Sequence, residues 1–200
     1  IGTTIGTLKN SDNQLLITMI FLGLGIGPLI FGPISDSLGR KPIVYIGFLI
    51  FIIASFICIH STSLEMMVFG RILQGIGLSA PRTISIAMIR DLFTGDYMAR
   101  IMSFITVVFI LVPIIAPATG KFFLDQYNWQ AIFYVQLIFS VLVSLWFWKR
   151  QEETLEISNR ITFTPTIFKD GVKELTKHKT TIGYTIISGF ITGSFMVYLS

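Results

Sequence analysis

Long apolar segments with almost no charge are the feature that most restricts the fold of this chain of 200 residues. Five are complete, at about 14–34, 42–60, 65–89, 99–122 and 129–148, and a sixth begins near 181 and runs to the last residue. Each complete segment has the length of a helix that crosses ~30 Å of hydrocarbon and is too long for a core strand. The sequence therefore predicts an all-α polytopic membrane protein, a helix bundle with five full spans and the start of another.

The composition supports this prediction and excludes other classes. Hydrophobic residues make up 52% of the chain and charged residues 13%, whereas a soluble domain has about a quarter charged. The net charge of +4 does not indicate a nucleic-acid partner, because the basic residues lie at span ends. The single Cys58 cannot form an internal disulfide, and no His cluster, serine elbow or metal-ligand spacing is present. We expect a protein without enzymatic activity, cofactor or metal, whose surroundings are the lipid bilayer.

The positions of the basic residues predict the orientation. Eleven of the 15 Lys and Arg residues fall in the first, third and fifth connections between spans. Only Lys9 and Lys121 fall on the opposite side, and Arg71 and Arg82 lie inside the third span. Positive residues remain cytoplasmic, so the odd-numbered connections face the cytoplasm. The fifth connection includes TIFKDGVKELTKHK, which is either a helix on an anionic membrane surface or a solvated linker.

The first connection carries the stretch GPISDSLGRKP, whose polar residues are unusually concentrated. Gly32 allows another helix to approach, and Asp36 needs a helix N-terminus or an arginine, because an unpaired carboxylate at the membrane boundary is costly. Gly39 can turn the chain with a left-handed backbone. Arg40 and Lys41 hold the connection on the cytoplasmic side. A short turn at the membrane surface accounts for the second half of the stretch but not for Gly32 and Asp36.

Two later spans carry further unusual residues. Arg71 is a cation inside an apolar helix, so it either faces a cavity or a carboxylate, or reaches the outer interface along its aliphatic stem. Gln74 lies three residues further on the same face, and the run GRILQGIG contains glycines that permit close helix packing. In VPIIAPATGKFF, Pro113 and Pro117 remove backbone donors and bend the helix, or are simply tolerated in a packed bundle, and Gly120 leaves a groove.

These stretches resemble the major facilitator superfamily, and in particular its bicyclomycin-resistance (Bcr/CflA) type of drug:proton antiporter. GPISDSLGRKP, RILQGIG, IRDLF, APATG and NWQAIF occur in the order of that family. The resemblance covers almost the whole chain. It implies that residues 1–148 are an N-terminal six-helix half without its first helix. Residues 149–180 would then be a cytoplasmic central loop, and residues 181–200 the start of a C-terminal half that is missing here.

The resemblance also implies roles. Arg71 would take part in proton coupling, with Gln74 beside it in the cavity. Arg40 would pair with Asp91 and lock a cytoplasmic gate built around Gly32, Asp36, Gly39 and Lys41. Pro113, Pro117 and Gly120 would form the helix typical of antiporters, although Lys121 stands where that pattern has a glycine.

The implied function is proton-coupled efflux of a small-molecule drug by a twelve-helix protein of the bacterial inner membrane. A superfamily importer of a small metabolite and a truncated product without transport activity are the alternatives. The proton-carrying acid is expected outside this chain, because every Asp and Glu here falls at a span end or in a connection.

Overall fold

The computed structural model describes residues 10–162, 164, 173, 176–177 and 179–199. The helices are α1 (Asn10–Leu38), α2 (Arg40–Ile59), α3 (Leu64–Leu92), α4 (Gly95–Gln126), α5 (Gln130–Arg150) and α6 (Lys179–Leu199), with a short 3-10 turn at Ile157–Asn159. Of these, α1 to α5 are long and apolar enough to cross a membrane. This confirms the predicted all-α polytopic membrane fold. Each of α1 to α5 contains the span predicted for it, except for one residue at the end of α2 and one at the start of α5.

The chain forms two compact units, residues 1–160 and residues 161–200. The first holds α1 to α5, and within the described residues the second holds α6. The possible surface helix around 168–177 lies largely outside the described residues.

Helix α3 is the centre of the first unit, and glycines set its distance from α1. These two helices make the most extensive contact of the unit. A Cβ on Gly75 would overlap the carbonyl oxygen of Ile20 and lie 3.0 Å from the Cα of Gly23. The two backbones therefore touch at this crossing, as expected where small residues stand at a membrane helix interface.

Helix α2 packs against the other side of α3 in the same way. A Cβ on Gly77 would lie 2.5 Å from the backbone nitrogen of Phe51 and 2.8 Å from the carbonyl oxygen of Gly47. Closer to the start of α3, a Cβ on Gly70 would lie 2.6 Å from the sulfur of Cys58 on α2. The close packing predicted for the GRILQGIG run is therefore present on two faces of α3.

Helix α5 completes the bundle along α2, mainly through aromatic side chains. Near the start of α2, Phe147 packs edge-on against Tyr45, with 5.6 Å between the ring centroids. At the other end Trp129 and Phe133 join a buried cluster with Leu16 and Met67. One apolar cluster therefore lies toward each end of the bundle.

Helix α4 differs from the other four helices of the first unit because none of its residues is buried. It runs without interruption through Pro113 and Pro117, and within the described part of the chain nothing lies within 4 Å of the place of a Cβ on Gly120. The contribution of these three residues to an antiporter-type helix stays a prediction.

Candidate functional site

Arg40 joins the ends of three helices on the side of the bundle that the charge pattern predicts to be cytoplasmic. Its Nε donates to Oδ2 of Asp91 at the end of α3, at 3.0 Å. Its Nη1 donates to the hydroxyl of Ser35 at 2.8 Å and forms an ion pair with Asp36 near the end of α1. Arg40 is only 9% exposed. We call these four residues the latch.

The turn between α1 and α2 places the latch residues. Gly39 is the single residue between the two helices, and its φ of 106° is in the region that favours glycine. Its N–H donates to the carbonyl of Ser35 at 3.0 Å, which closes the end of α1. Arg40 therefore begins α2 four residues after Asp36, so that one arginine reaches Asp36 and also Asp91. The contact predicted between Arg40 and Asp91 is present, and its role in gating stays a prediction.

The other predicted residues of this region lie close to the latch but differ in their contacts. Gly32 lines a cavity of about 250 Å³ together with Asp36, Arg40 and Asp91. Nothing in the described part of the chain lies within 4 Å of a Cβ placed on Gly32, so the close approach predicted there is untested. Lys41 donates from Nζ to the carbonyl of Trp148 at 3.4 Å, which connects α2 to the last turn of α5.

Glu153, which was not predicted, adds a second contact to the start of α2. Its Oε1 accepts from the backbone N–H of Arg40 at 2.9 Å, and its Oε2 accepts from that of Lys41 at 3.1 Å. Burial raises the pKa of Glu153, but hydrogen bonds from the backbone N–H groups of Leu155, Arg40, Lys41 and Thr154 outweigh that effect. The pKa is therefore below its ordinary value. The carboxylate is ionised at neutral pH.

A polar chain crosses the interior of the bundle between α3 and α2. Arg71 Nη1 lies 3.4 Å from the side-chain oxygen of Gln74 and donates to it. The Gln74 amide nitrogen donates to the hydroxyl of Ser55 at 2.9 Å, which donates to the carbonyl of Phe51 at 2.8 Å. Gln74 and Ser55 are fully buried. Arg71 is thus joined to the backbone of α2 by donors that all point in one direction.

An aromatic ring supports the guanidinium of Arg71. Its Cζ lies 4.6 Å from the centroid of the Phe133 ring on α5, within the range of a cation–π interaction. In the described part of the chain no carboxylate pairs with Arg71, and its Nε is buried without a hydrogen-bond partner. The second cation of α3, Arg82, is exposed and lies 5.7 Å from the Phe109 ring centroid.

Comparison with known proteins agrees with this architecture. Residues 3–200 match the family model of the Major Facilitator Superfamily. The chain is 35% identical over 192 residues to a Bacillus subtilis protein named as the uncharacterized MFS-type transporter YdgK, covering 94% of this chain and 47% of that protein. It is 32% identical over 187 residues to the bicyclomycin resistance protein homolog of Haemophilus influenzae, with the same coverage.

A third relative is more distant. The multidrug resistance protein MdtL of Salmonella paratyphi C is 30% identical over 140 residues, covering 69% of this chain and 35% of the relative. The chain spans about half the length of the first two relatives. The described residues include five helices long and apolar enough to cross a membrane, and a family model matches almost the whole sequence; this multi-pass cell-membrane chain therefore belongs to the Major Facilitator Superfamily.

Proposed function

We propose that this chain is part of a proton-coupled efflux transporter that exchanges small-molecule drugs for protons across the inner or plasma membrane. The observation that carries the proposal is its 32% identity, along 94% of the chain, to a protein named for bicyclomycin resistance. The relative named for multidrug resistance points the same way. In a twelve-helix transporter the substrate would bind near the midplane between two helix bundles and reach each side of the membrane in turn.

The latch and the polar chain suit different parts of this cycle. Arg40, Asp36 and Asp91 meet at the cytoplasmic ends of the helices, so breaking their contacts would open that side. Arg71 lies deeper, where a fixed positive charge favours the ionised form of a nearby acid. Drug and proton would compete for that acid, which we place outside this chain. Protonation at the outer face would release the drug, and deprotonation at the inner face would allow the next drug to bind.

Flux measurements with the full transporter test this proposal. Purified transporter is reconstituted into vesicles loaded with bicyclomycin or a lipophilic cationic dye, and the outside is then made acidic. We expect faster exit of the loaded compound under this gradient than at equal pH, and a return to the basal rate when a protonophore removes the gradient. The control is the same vesicle without protein.

Uptake under the same gradient would contradict the proposal and favour the importer of a small metabolite. Lys121 is the residue that keeps this alternative open, because the antiporter pattern has a glycine there. Absence of flux in either direction for every compound tested would also reject drug efflux.

Reversing the charges of the latch tests its role in gating. Arg40→Asp and Asp91→Arg are each expected to slow drug exit strongly, because each leaves like charges together at a partly buried place. The double variant should recover part of the rate and not all of it, since Asp36 would then face the new carboxylate. The measurement is the initial rate of exit in vesicles.

The matched control is Arg90→Asp, which changes an exposed neighbouring cation that forms no ion pair within the described residues. We expect its rate to stay near that of the unchanged transporter. A double variant as slow as the slower single variant would show that Arg40 and Asp91 do not act as a pair.

A further inference from the structure

We propose that Glu153 is a positioning residue of the latch. Its carboxylate fastens the segment that follows α5 onto the first backbone N–H groups of α2, and this holds Arg40 in place for Asp36 and Asp91. The role in gating rests on the proposed transport function. The contact itself does not, and the experiment below separates the two.

The start of α2 has backbone donors that need this acceptor. The first N–H groups of a helix have no partner within the helix. In α2 these belong to Arg40, Lys41 and Ile43, because Pro42 has no N–H. Gly39, the preceding residue, has no side chain to cap the helix. The Glu153 carboxylate, 113 residues further along the chain than Arg40, supplies acceptors for two of these three groups, those of Arg40 and Lys41.

The carboxylate is held by its own segment as well. Oε1 of Glu153 also accepts from the backbone N–H groups of Thr154 and Leu155, each at 3.1 Å. The carboxylate is therefore hydrogen-bonded both to α2 and to the segment after α5. A surface glutamate that swings freely would not make four backbone hydrogen bonds, so the arrangement is that of a clamp.

Gly39 fits the same clamp for a second reason besides its positive φ. A Cβ placed on Gly39 would lie 2.6 Å from Oε2 of Glu153 and 3.0 Å from Nη2 of Arg160. Any larger residue would push the carboxylate away from the N–H groups of α2. The glycine of the GRKP turn thus leaves room for a side chain that comes from beyond α5.

The segment after α5 also reaches the latch from its other side. The hydroxyl of Thr154 donates to Oδ2 of Asp91 at 3.4 Å, the same oxygen that accepts from Arg40. Glu153 therefore holds the backbone of Arg40, and its neighbour contacts the acid that binds the Arg40 side chain. Loss of the Glu153 contacts would therefore weaken both the hold on the Arg40 backbone and the contact between Arg40 and Asp91.

The test compares Glu153→Gln with Glu152→Gln in the full transporter. Both remove one negative charge, at adjacent positions, but the Glu152 side chain is exposed. Glutamine at position 153 keeps the shape of glutamate and presents an NH₂ group where Oε2 or Oε1 accepted. Hydrogen exchange of the Arg40 and Lys41 amides is the first readout, and the maximal rate and KM of drug exit are the second.

We expect one of the two amides to exchange at least about fivefold faster in Glu153→Gln than in Glu152→Gln, because glutamine keeps one acceptor oxygen and can serve only one of the two N–H groups. The maximal rate should fall about threefold or more with KM little changed, since the site for drug is not touched. The double variant Glu153→Gln/Asp91→Asn should be slowed by a smaller factor than the product of the factors for the two single variants, because the two residues share one network.

Each readout can overturn the proposal separately. Equal exchange rates in the two variants would contradict the proposed contact of Glu153 with the start of α2, whether or not the transporter moves any drug. An unchanged maximal rate despite faster exchange, or single effects that multiply, would contradict the positioning role of Glu153. If the unchanged transporter moves no drug at all, only the proposed function fails, and the exchange comparison still decides the clamp.

Discussion

Gly75→Leu is expected to prevent α1 and α3 from packing and to leave little folded protein. At this crossing the backbones are in contact, and a Cβ on Gly75 would already lie 2.9 Å from the backbone nitrogen of Leu24, besides overlapping the carbonyl of Ile20. Overpacking of a core usually costs about 1–3 kcal/mol. Here the atoms that would have to move are backbone atoms of a second helix, so we place the cost at the top of that range or above it, about 3 kcal/mol or more.

The measurement is the fraction of monodisperse protein after extraction and its melting temperature in detergent. Gly25→Leu is the matched control, because it adds the same side chain to α1 where nothing in the described part of the chain lies within 4 Å of the new Cβ. We expect this control to melt close to the unchanged protein. Equal melting temperatures for the two variants would contradict the backbone contact.

The helices could be predicted because the thickness of a membrane and the hydropathy of the segments leave few alternatives to a spanning helix. A run of about twenty apolar residues has to be helical in a bilayer, where each backbone group needs an internal partner. The helices are longer than the apolar windows because helical hydrogen bonding continues into the polar ends, as in α1 to Leu38. The contact of Arg40 with Asp91 was implied by the family resemblance, whereas the partner of Asp36 was left open between a helix end and an arginine.

The contacts that were missed share one physical cause. Ser55 and Phe133 look like ordinary residues of apolar spans, and Glu153 stands in a connection beside two other glutamates, Glu152 and Glu156. Each gains its role from an atom on another helix. Their sequence neighbours carry no sign of that contact. A signal was nevertheless present at Gly39 and Pro42, because a helix that starts after a glycine and has a proline in its first turn lacks a local cap.

Arg71→Gln is expected to reduce proton-driven drug exit to less than about a tenth of the original rate, since a shift of one pKa unit in the coupled acid already corresponds to ~1.4 kcal/mol. The substitution removes the positive charge of α3 that contacts the Phe133 ring and leaves Gln74 and Ser55 in place. Arg82→Gln is the matched control on the same helix, because Arg82 is exposed. Its Cζ lies 5.7 Å from the Phe109 ring centroid, near the upper limit of a cation–π interaction. We expect that control to keep most of the rate.

The pH dependence of exit separates a charge effect from a loss of structure. If Arg71 favours the ionised form of the proton-carrying acid, Arg71→Gln should shift the profile of exit rate toward higher pH, because the acid then holds its proton more tightly. Phe133→Leu keeps the charge but removes the ring that lies 4.6 Å from it, so it should shift the profile less than Arg71→Gln does. A lower rate with an unshifted profile in Arg71→Gln would assign Arg71 to packing and not to proton coupling.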